Sequence, residues 1–332
     1  MADDYFALPV NDRTEILNGL APVIGRRAEI LEKDIWLCRV LAELFALPCA
    51  KPMAFKGGTS LSKVYRAIER FSEDIDVTID YHSLTNDGRD IADLKSRNQR
   101  KRFSDILKTK LASHVRGALL PGLQSALSPL GVTFDLDESG EKLWAYYPSA
   151  VEAVTEYVRP SVLLEFGGRN SVDPSETVEI APDIASFVTA VALPTAKVSV
   201  LSLKRTFWEK ATLIHVECRR PTEKRSANRL SRHWYDLACL ADHKLGREAV
   251  ADRGLLDDVV QLKQAFFYSS YAGYERCNAG GLQLIPDDDS LGALQSDYAA
   301  MGSAGMFYTD PPEFGAIIDR LRSLESLINQ KA

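Results

Sequence analysis

The stretch that most restricts what this chain can fold into runs from Met53 to Asp80. Met53 to Phe55 is a short apolar run that reads as a strand. Gly57 and Gly58 follow, so the backbone can turn sharply and approach a ligand with no Cβ in the way. Thr59 and Ser60 offer N-cap hydroxyls, and Leu61, Val64, Tyr65 and Ile68 recur at helical spacing. A glycine-rich turn that opens a helix presents N–H groups and the positive end of the helix dipole, a seat for phosphate. Lys56, Gly57, Gly58, Thr59 and Ser60 are therefore the candidate phosphate-binding residues.

The strand expected next divides its faces by charge. Side chains alternate along a strand, so Ile75, Val77 and Ile79 point one way and Asp74, Asp76, Thr78 and Asp80 the other. Carboxylates two residues apart lie roughly 6–7 Å from each other along a strand. Like charges this close raise each other's proton affinity unless a cation sits between them. Mg²⁺ takes oxygen ligands, commonly one or two carboxylates plus substrate phosphates. A phosphate seat followed by such a strand points to chemistry on a nucleoside triphosphate (NTP).

Taken singly, each element has a plainer reading. Gly-Gly-Thr-Ser is ordinarily a loop, and Asp-x-Asp ordinarily a solvated strand edge. Their order and spacing carry the argument, and together they resemble the first motif of the polymerase-β-like nucleotidyltransferases. The fuller pattern, Phe55 to Tyr65 with Arg70-Phe71-Ser72-Glu73-Asp74-Ile75-Asp76, is similar to one branch, the AbiEii/AbiGii toxins of abortive-infection toxin–antitoxin pairs. That resemblance implies a type IV-like system in phage defence, two Mg²⁺ ions, an NTP substrate, a co-encoded antitoxin, and tRNA or another RNA as acceptor. A competing pattern is the Asp-x-Asp-x-Thr motif of haloacid-dehalogenase-type phosphohydrolases, met by Asp74, Asp76 and Thr78. There the motif follows a continuous hydrophobic strand near the start of the fold, whereas Glu69 to Glu73 precede it here. A third alternative is an inactive nucleotidyltransferase fold that only binds NTP or RNA.

The 332 residues suffice for one large or two moderate domains. Lys and Arg number 40 against 46 Asp and Glu, a net charge of −6, so any RNA contact must use local basic patches. Cys38, Cys49, Cys218, Cys239 and Cys277 form no C-x-x-C pair, which favours reduced thiols over a disulfide framework or a zinc site. No start-proximal signal-like segment and no run of about 20 apolar residues is present, so the expectation is a cytoplasmic protein without a membrane partner.

The first fifty residues read as helical. Ile30, Leu31, Asp34, Ile35, Cys38, Leu41, Ala42 and Phe45 form a wide stripe that ends at Leu47-Pro48. Lys33-Asp34-Ile35-Trp36-Leu37 resembles the family's leading helical region, with a structural role. Residues 81–92 read as a polar loop with a turn at Asn86-Asp87-Gly88. The spacing then predicts a helix over 97–120, burying Phe103, Ile106, Leu107, Leu111 and Val115 and stopped or kinked at Pro121-Gly122. Its start is basic (Lys95, Arg97, Arg100, Lys101, Arg102, Lys108, Lys110), either a contact to a phosphate backbone or a solvated face.

Strand character dominates residues 131–202, at 132–136, 143–147, 161–166, 177–180 and 198–201. Glu165 stands in an otherwise apolar run, where an acid is costly unless paired or metal-bound. The resemblance implies a third carboxylate that completes the metal site and helps deprotonate the attacking hydroxyl. The alternative is a salt bridge to Arg169 or Arg159.

Leu203 to Leu213 reads as a helix with Leu203, Phe207, Lys210 and Ile214 on one face. Lys210 is then either a partly buried ammonium in need of an anion or a side chain that snorkels to solvent. A loop rich in cations follows: Arg219, Arg220, Lys224, Arg225, Arg229 and Arg232 against Glu223, a place to meet the charge of substrate or RNA. Asp236, four residues after Arg232, can form an intrahelical ion pair. The resemblance implies Lys210 as the phosphate-binding lysine and Asp236 as an essential aspartate. His233 reads as a helix-start residue rather than a base. The remainder reads as mostly helical. Its aromatic stretches, Phe266 to Tyr268 and Tyr271 to Tyr274, suit core packing or base stacking. A last helix carries Ile317, Leu321, Leu324 and Leu327.

The expected architecture is α/β. A polymerase-β-like nucleotidyltransferase core with a mixed sheet and N-terminal helices fills 1–202, and a mainly helical C-terminal part over 203–332 contributes to the active site. The expected chemistry is two-metal phosphoryl transfer, with Asp74, Asp76 and Glu165 as metal ligands and Asp74, Asp76, Lys210, Asp236 and Glu165 as catalytic residues.

Overall fold

The computed structural model describes residues 3–85, 88–152 and 159–330, so the Asn86-Asp87 part of the expected turn lies outside the described residues. The chain divides into two compact units. The first comprises Met1–Val64, Ser72–Gly88 and Asp105–Val200; the second comprises Tyr65–Phe71, Arg89–Ser104 and Leu201–Ala332.

In chain order the first unit carries β1 (Asp3–Asp4), α1 (Val10–Ile24), α2 (Ala28–Ala46), β2 (Met53–Lys56), α3 (Gly57–Lys63), β3 (Asp74–Asp80) and α4 (Tyr81–Thr85). Helix α5 (Arg97–His114) begins in the second unit and ends in the first. The first unit continues with α6 (Leu120–Leu127), β4 (Thr133–Leu136), β5 (Lys142–Tyr146), β6 (Ser161–Asn170), β7 (Ser175–Ile180), β8 (Val191–Ala192) and β9 (Ala196–Leu201). Seven strands form one sheet in the order β4-β5-β6-β3-β2-β9-β7, and β1 pairs with β8 separately. The large sheet is mixed: β3 runs parallel to β6 and antiparallel to β2, which runs parallel to β9.

The alternation in β3 and β6 explains their central place. Ile75, Val77 and Ile79 of β3, with Val162, Leu164 and Phe166 of β6, are buried. That apolar face lies under helices, α2 among them. Gly168 shows how close the cover comes: a Cβ there would meet Leu84 Cδ1 at 2.6 Å and Leu111 Cβ at 3.3 Å. The odd-numbered side chains of β6 and the even-numbered ones of β3 occupy the other face, which holds the acids.

Four local expectations change. Helix α3 stops at Lys63 rather than continuing to Ile68, and Arg66 adopts a positive φ of 48° just beyond it. Residues Tyr81–Thr85 are helical, with the Asp80 carboxylate accepting the His82 N–H at 2.9 Å. Pro121 neither stops nor breaks the helical run. The turn Val115–Leu119 widens to a π-helix, and the proline then falls in the first turn of α6, where its missing N–H costs nothing. Ile106, expected on the buried side of α5, is 40% exposed.

The second unit contains α7 (Leu203–Cys218), α8 (Ser231–Asp242), α9 (Lys244–Ala251), α10 (Arg253–Phe266), α11 (Asp288–Ser303) and α12 (Phe314–Gln330). Two buried tryptophans tie it together through their indole donors. Trp208 donates to the Ala249 carbonyl and Trp234 to that of Leu284, each at 3.0 Å. The segment before β3 belongs here as well: the Phe71 N–H donates to the Met306 carbonyl at 2.7 Å. Several cations of the loop after α7 are spent within the unit. Arg220 pairs with Glu217, Arg225 with Asp287, and Arg219 donates to the Tyr271 carbonyl and to Gln283. Leu327, expected on the packing stripe of the last helix, is 42% exposed, and Ile328 is buried instead. Among the described residues, no helix is long and apolar enough to cross a membrane.

Candidate active site

In the first unit the site is built on the turn from β2 into α3. Gly57 has φ +81°, and a Cβ on it would lie 2.0 Å from Asp76 Oδ2. The carboxylate of Asp76 thus packs into space that only glycine leaves open, which explains the glycine in both conformation and contact. Lys56 is the N-cap residue of α3, and no side chain caps that helix. Thr59 and Ser60 are not its caps; both are buried inside it, with Gly58. Thr59 Oγ1 donates to the Asp74 carbonyl at 2.6 Å and lies 3.0 Å from Ser72 Oγ, while Ser60 Oγ donates to the Gly57 carbonyl at 3.0 Å. Their hydroxyls weld the motif to itself, so what the turn can offer a phosphate is backbone.

Helix α2 braces the motif from two successive residues. Lys33 Nζ lies 2.5 Å from Glu73 Oε2, next to Asp74 in the chain, and is 5% exposed. Asp34 Oδ1 accepts Lys63 Nζ at 2.6 Å, and Asp183 holds the same ammonium at 3.1 Å. Burial alone would lower the proton affinity of Lys63, but Asp34 foremost, with Asp183, raises it well above the ordinary lysine range. Lys63 therefore remains a cation, and the last residue of α3 is pinned. The sequence carried a signal for this in Asp34, an acid within an apolar stripe.

The strand register then sets a row of charges across four strands on one face. Lys56 of β2 pairs with Asp76 of β3, Asp76 with Glu165 of β6, and Glu165 with Lys142 of β5. Neighbouring strands lie about 4.8 Å apart, so Asp76 and Glu165 are direct neighbours, with Asp74 two positions along β3. Yet Glu165 is taken: Lys142 Nζ lies 2.6 Å from its Oε1. Glu165 is paired, but with Lys142 rather than with Arg169 or Arg159. Lys142 was not singled out in the sequence, because only the strand register brings it to Glu165. The hydrogen bond to Glu165, aided by the field of Glu165 and Asp74, raises the Lys142 pKa.

Among the described residues, no three His, Cys, Asp or Glu side chains gather into a group able to hold a metal. The donor set fits a hard divalent cation in a narrower form than expected. Asp74 and Asp76 offer oxygen only, from one strand face, and Asp76 is seated against Gly57. That matches Mg²⁺, which binds through one or two carboxylates and fills its remaining positions with water and substrate oxygens.

In the second unit the structure brings Lys210 and Asp236 together, and adds Arg70. Asp236 is fully buried. Its Oδ1 accepts Arg70 Nε at 2.7 Å, and its Oδ2 accepts Arg70 Nη2 and Lys210 Nζ, each at 2.8 Å. Burial would raise the Asp236 pKa, but the Arg70 guanidinium and the Lys210 ammonium hold it well below the usual carboxylate range. Lys210 does not snorkel, and the intrahelical pairing with Arg232 gives way to a long-range one. Arg70 was quoted in the sequence only as part of a motif; nothing local announces its partner, which lies 166 positions away. His233 is held neutral, its pKa lowered by burial and then by Lys210 and Arg232.

No curated protein matches the chain. Among solved structures it is similar to MenT4, a nucleotidyltransferase toxin from Mycobacterium tuberculosis H37Rv, at 18% identity and a TM-score of 0.49, covering 98% of this chain and 93% of that one. Residues 39–320 match the family described as nucleotidyl transferase AbiEii toxin, type IV toxin–antitoxin system, and the chain belongs to that family of nucleotidyltransferases.

Proposed function

We propose that the protein transfers a nucleotide from an NTP to a hydroxyl of an RNA acceptor, with tRNA as the acceptor class, and that a co-encoded antitoxin restrains it in the cytoplasm. The observation that carries this reading is the seating of the Asp76 carboxylate against Gly57, with Asp74 on the same strand face. Asp74 and Asp76 would hold Mg²⁺, and the turn from Lys56 through Ser60 would receive the triphosphate through its backbone. When bound, Mg²⁺ neutralises charge on the phosphates and orients them for in-line displacement. Glu165 takes the proton of the acceptor hydroxyl as its oxygen bonds to the α-phosphorus and pyrophosphate departs. Lys210 is read as the phosphate-binding lysine, and Asp236 keeps it in place. Family membership leaves no role for the phosphohydrolase alternative. Thr78, the third residue of that motif, is also fully buried.

The test mixes purified protein with each labelled NTP, Mg²⁺ and total tRNA, beside an Asp76→Ala control. Label entering RNA with the wild type alone is the expected result and names both the donor and the acceptor class. Label on the protein itself would replace RNA with self-modification. Equal incorporation by the Asp76 variant would overturn the assignment of the site.

A further inference from the structure

The row Lys56–Asp76–Glu165–Lys142 places two acids between two lysines, and the outer lysine differs in kind from Lys210. Lys210 is buried and fastened to a fully buried aspartate. Lys142 is half exposed, its side chain at 49%, and its partner Glu165 is exposed at 35%. A salt bridge between exposed side chains holds weakly, because water and ions compete for both partners. The ammonium sits on a flexible stem at the first residue of β5, with its side chain half exposed. Its surroundings are otherwise anionic, since Asp74 and Asp137 also act on it. Such a group is held by one solvent-exposed, charge-assisted hydrogen bond, and a more concentrated anion can draw it away.

We infer that Lys142 is a positioning residue that withholds Glu165 from the aspartate pair until a triphosphate arrives. With Lys142 on Glu165, the protein presents Asp74 and Asp76 to a divalent cation and no third carboxylate, consistent with the lack of any three-acid metal group among the described residues. A triphosphate seated at the Lys56–Ser60 turn brings several negative charges to the same face of the sheet. Lys142 then exchanges its carboxylate for a phosphate oxygen, and Glu165 becomes free to join Asp76, its neighbour in register. No bond between heavy atoms forms or breaks in this step; one ion pair replaces another. The arrangement couples nucleotide binding to completion of the site, and it leaves the NTP-free protein with an incomplete one. The inference rests on the two-aspartate site proposed above.

The experiment is Mn²⁺ binding to the full chain without nucleotide, followed by electron paramagnetic resonance or calorimetry, so turnover plays no part. Lys142→Met should tighten Mn²⁺ binding about tenfold by releasing a carboxylate. The double variant Lys142→Met/Glu165→Gln should return to the wild-type value. A gain that persists in the double variant would show that Lys142 acts only by through-space repulsion, and would overturn the proposal. So would no change in Lys142→Met. Asp76→Asn is the separate control: Mn²⁺ binding that survives it unchanged removes the two-aspartate site itself, a failure distinct from that of the lysine.

Discussion

Asp236 Oδ2 lies 2.8 Å from Lys210 Nζ and 2.8 Å from Arg70 Nη2, in a position with no exposure to solvent. One carboxylate thus serves two cations brought from distant parts of the chain. Desolvating three charged groups is expensive, and it is tolerable only while all three remain together. The aspartate that the family resemblance marks as essential is fully buried here, and both of its oxygens accept from these two cations.

Asp236→Asn should therefore destabilise the protein by about 3–5 kcal/mol, since it leaves two buried cations uncompensated. The effect has a defined pH dependence. The folded-state pKa of Asp236 is depressed, so its stabilising contribution is present above the unfolded carboxylate value of about 3.9 and is lost as pH falls through the lower folded value. Denaturant melts should show a constant gap between wild type and Asp236→Asn from pH 7 to about pH 5, narrowing below about pH 4. A gap that does not vary down to pH 3 would contradict the ion-pair account.

Gly57→Ala should be far more damaging than its single methyl suggests. The added Cβ would fall 2.0 Å from Asp76 Oδ2, and the backbone there has φ +81°, which disfavours any side chain. The carboxylate must move by an ångström or more, and displacement on that scale costs roughly 100-fold in rate for a positioned group. Mn²⁺ affinity and nucleotide transfer should fall together, while Gly19→Ala, which meets nothing within 4 Å, should change neither.

What could be read from the sequence and what could not divide along the range of the interactions. The strand at Met53, the Asp-x-Asp strand and its buried Ile75, Val77 and Ile79 follow from local pattern, because alternation is a property of neighbouring residues. The helix predicted through Ile68 fails because Leu61, Val64, Tyr65 and Ile68 satisfy its spacing while tertiary demands end it at Lys63, which is pinned by Asp34 and Asp183. Thr59 and Ser60 looked like caps because their hydroxyls suit that role, but the fold offers Thr59 the Asp74 carbonyl instead. Lys142 and Arg70 acquire their partners only through strand register and chain return. No window of sequence contains those pairings.

Thr59→Val tests how far the hydroxyl matters. Valine keeps the shape and removes the donor, so the Asp74 carbonyl loses its hydrogen bond at a buried position. The expected loss is about 1–3 kcal/mol in a thermal or chemical melt. Thr59→Ser retains the donor and should recover most of it. If valine and serine destabilise equally, packing of the methyl group, rather than the bond to Asp74, holds α3 against β3.

The ion pair between Lys33 and Glu73 offers a test of how the N-terminal helix sets the carboxylates. Lys33 is 5% and Glu73 13% exposed, at 2.5 Å, and Lys33 also donates to the Arg159 carbonyl at 3.2 Å. Either substitution removes a well-buried ion pair, so Lys33→Met and Glu73→Gln should each destabilise the protein in a melt. The double variant should cost less than their sum, because the same pair is lost only once. Activity should separate from stability in that double variant. Glu73 directly precedes Asp74, so the clamp acts on the start of β3. Nucleotide transfer by the refolded double variant should therefore stay about tenfold or more below wild type even where its melting curve has recovered. Recovery of both together would show that the pair serves folding alone and has no part in placing Asp74.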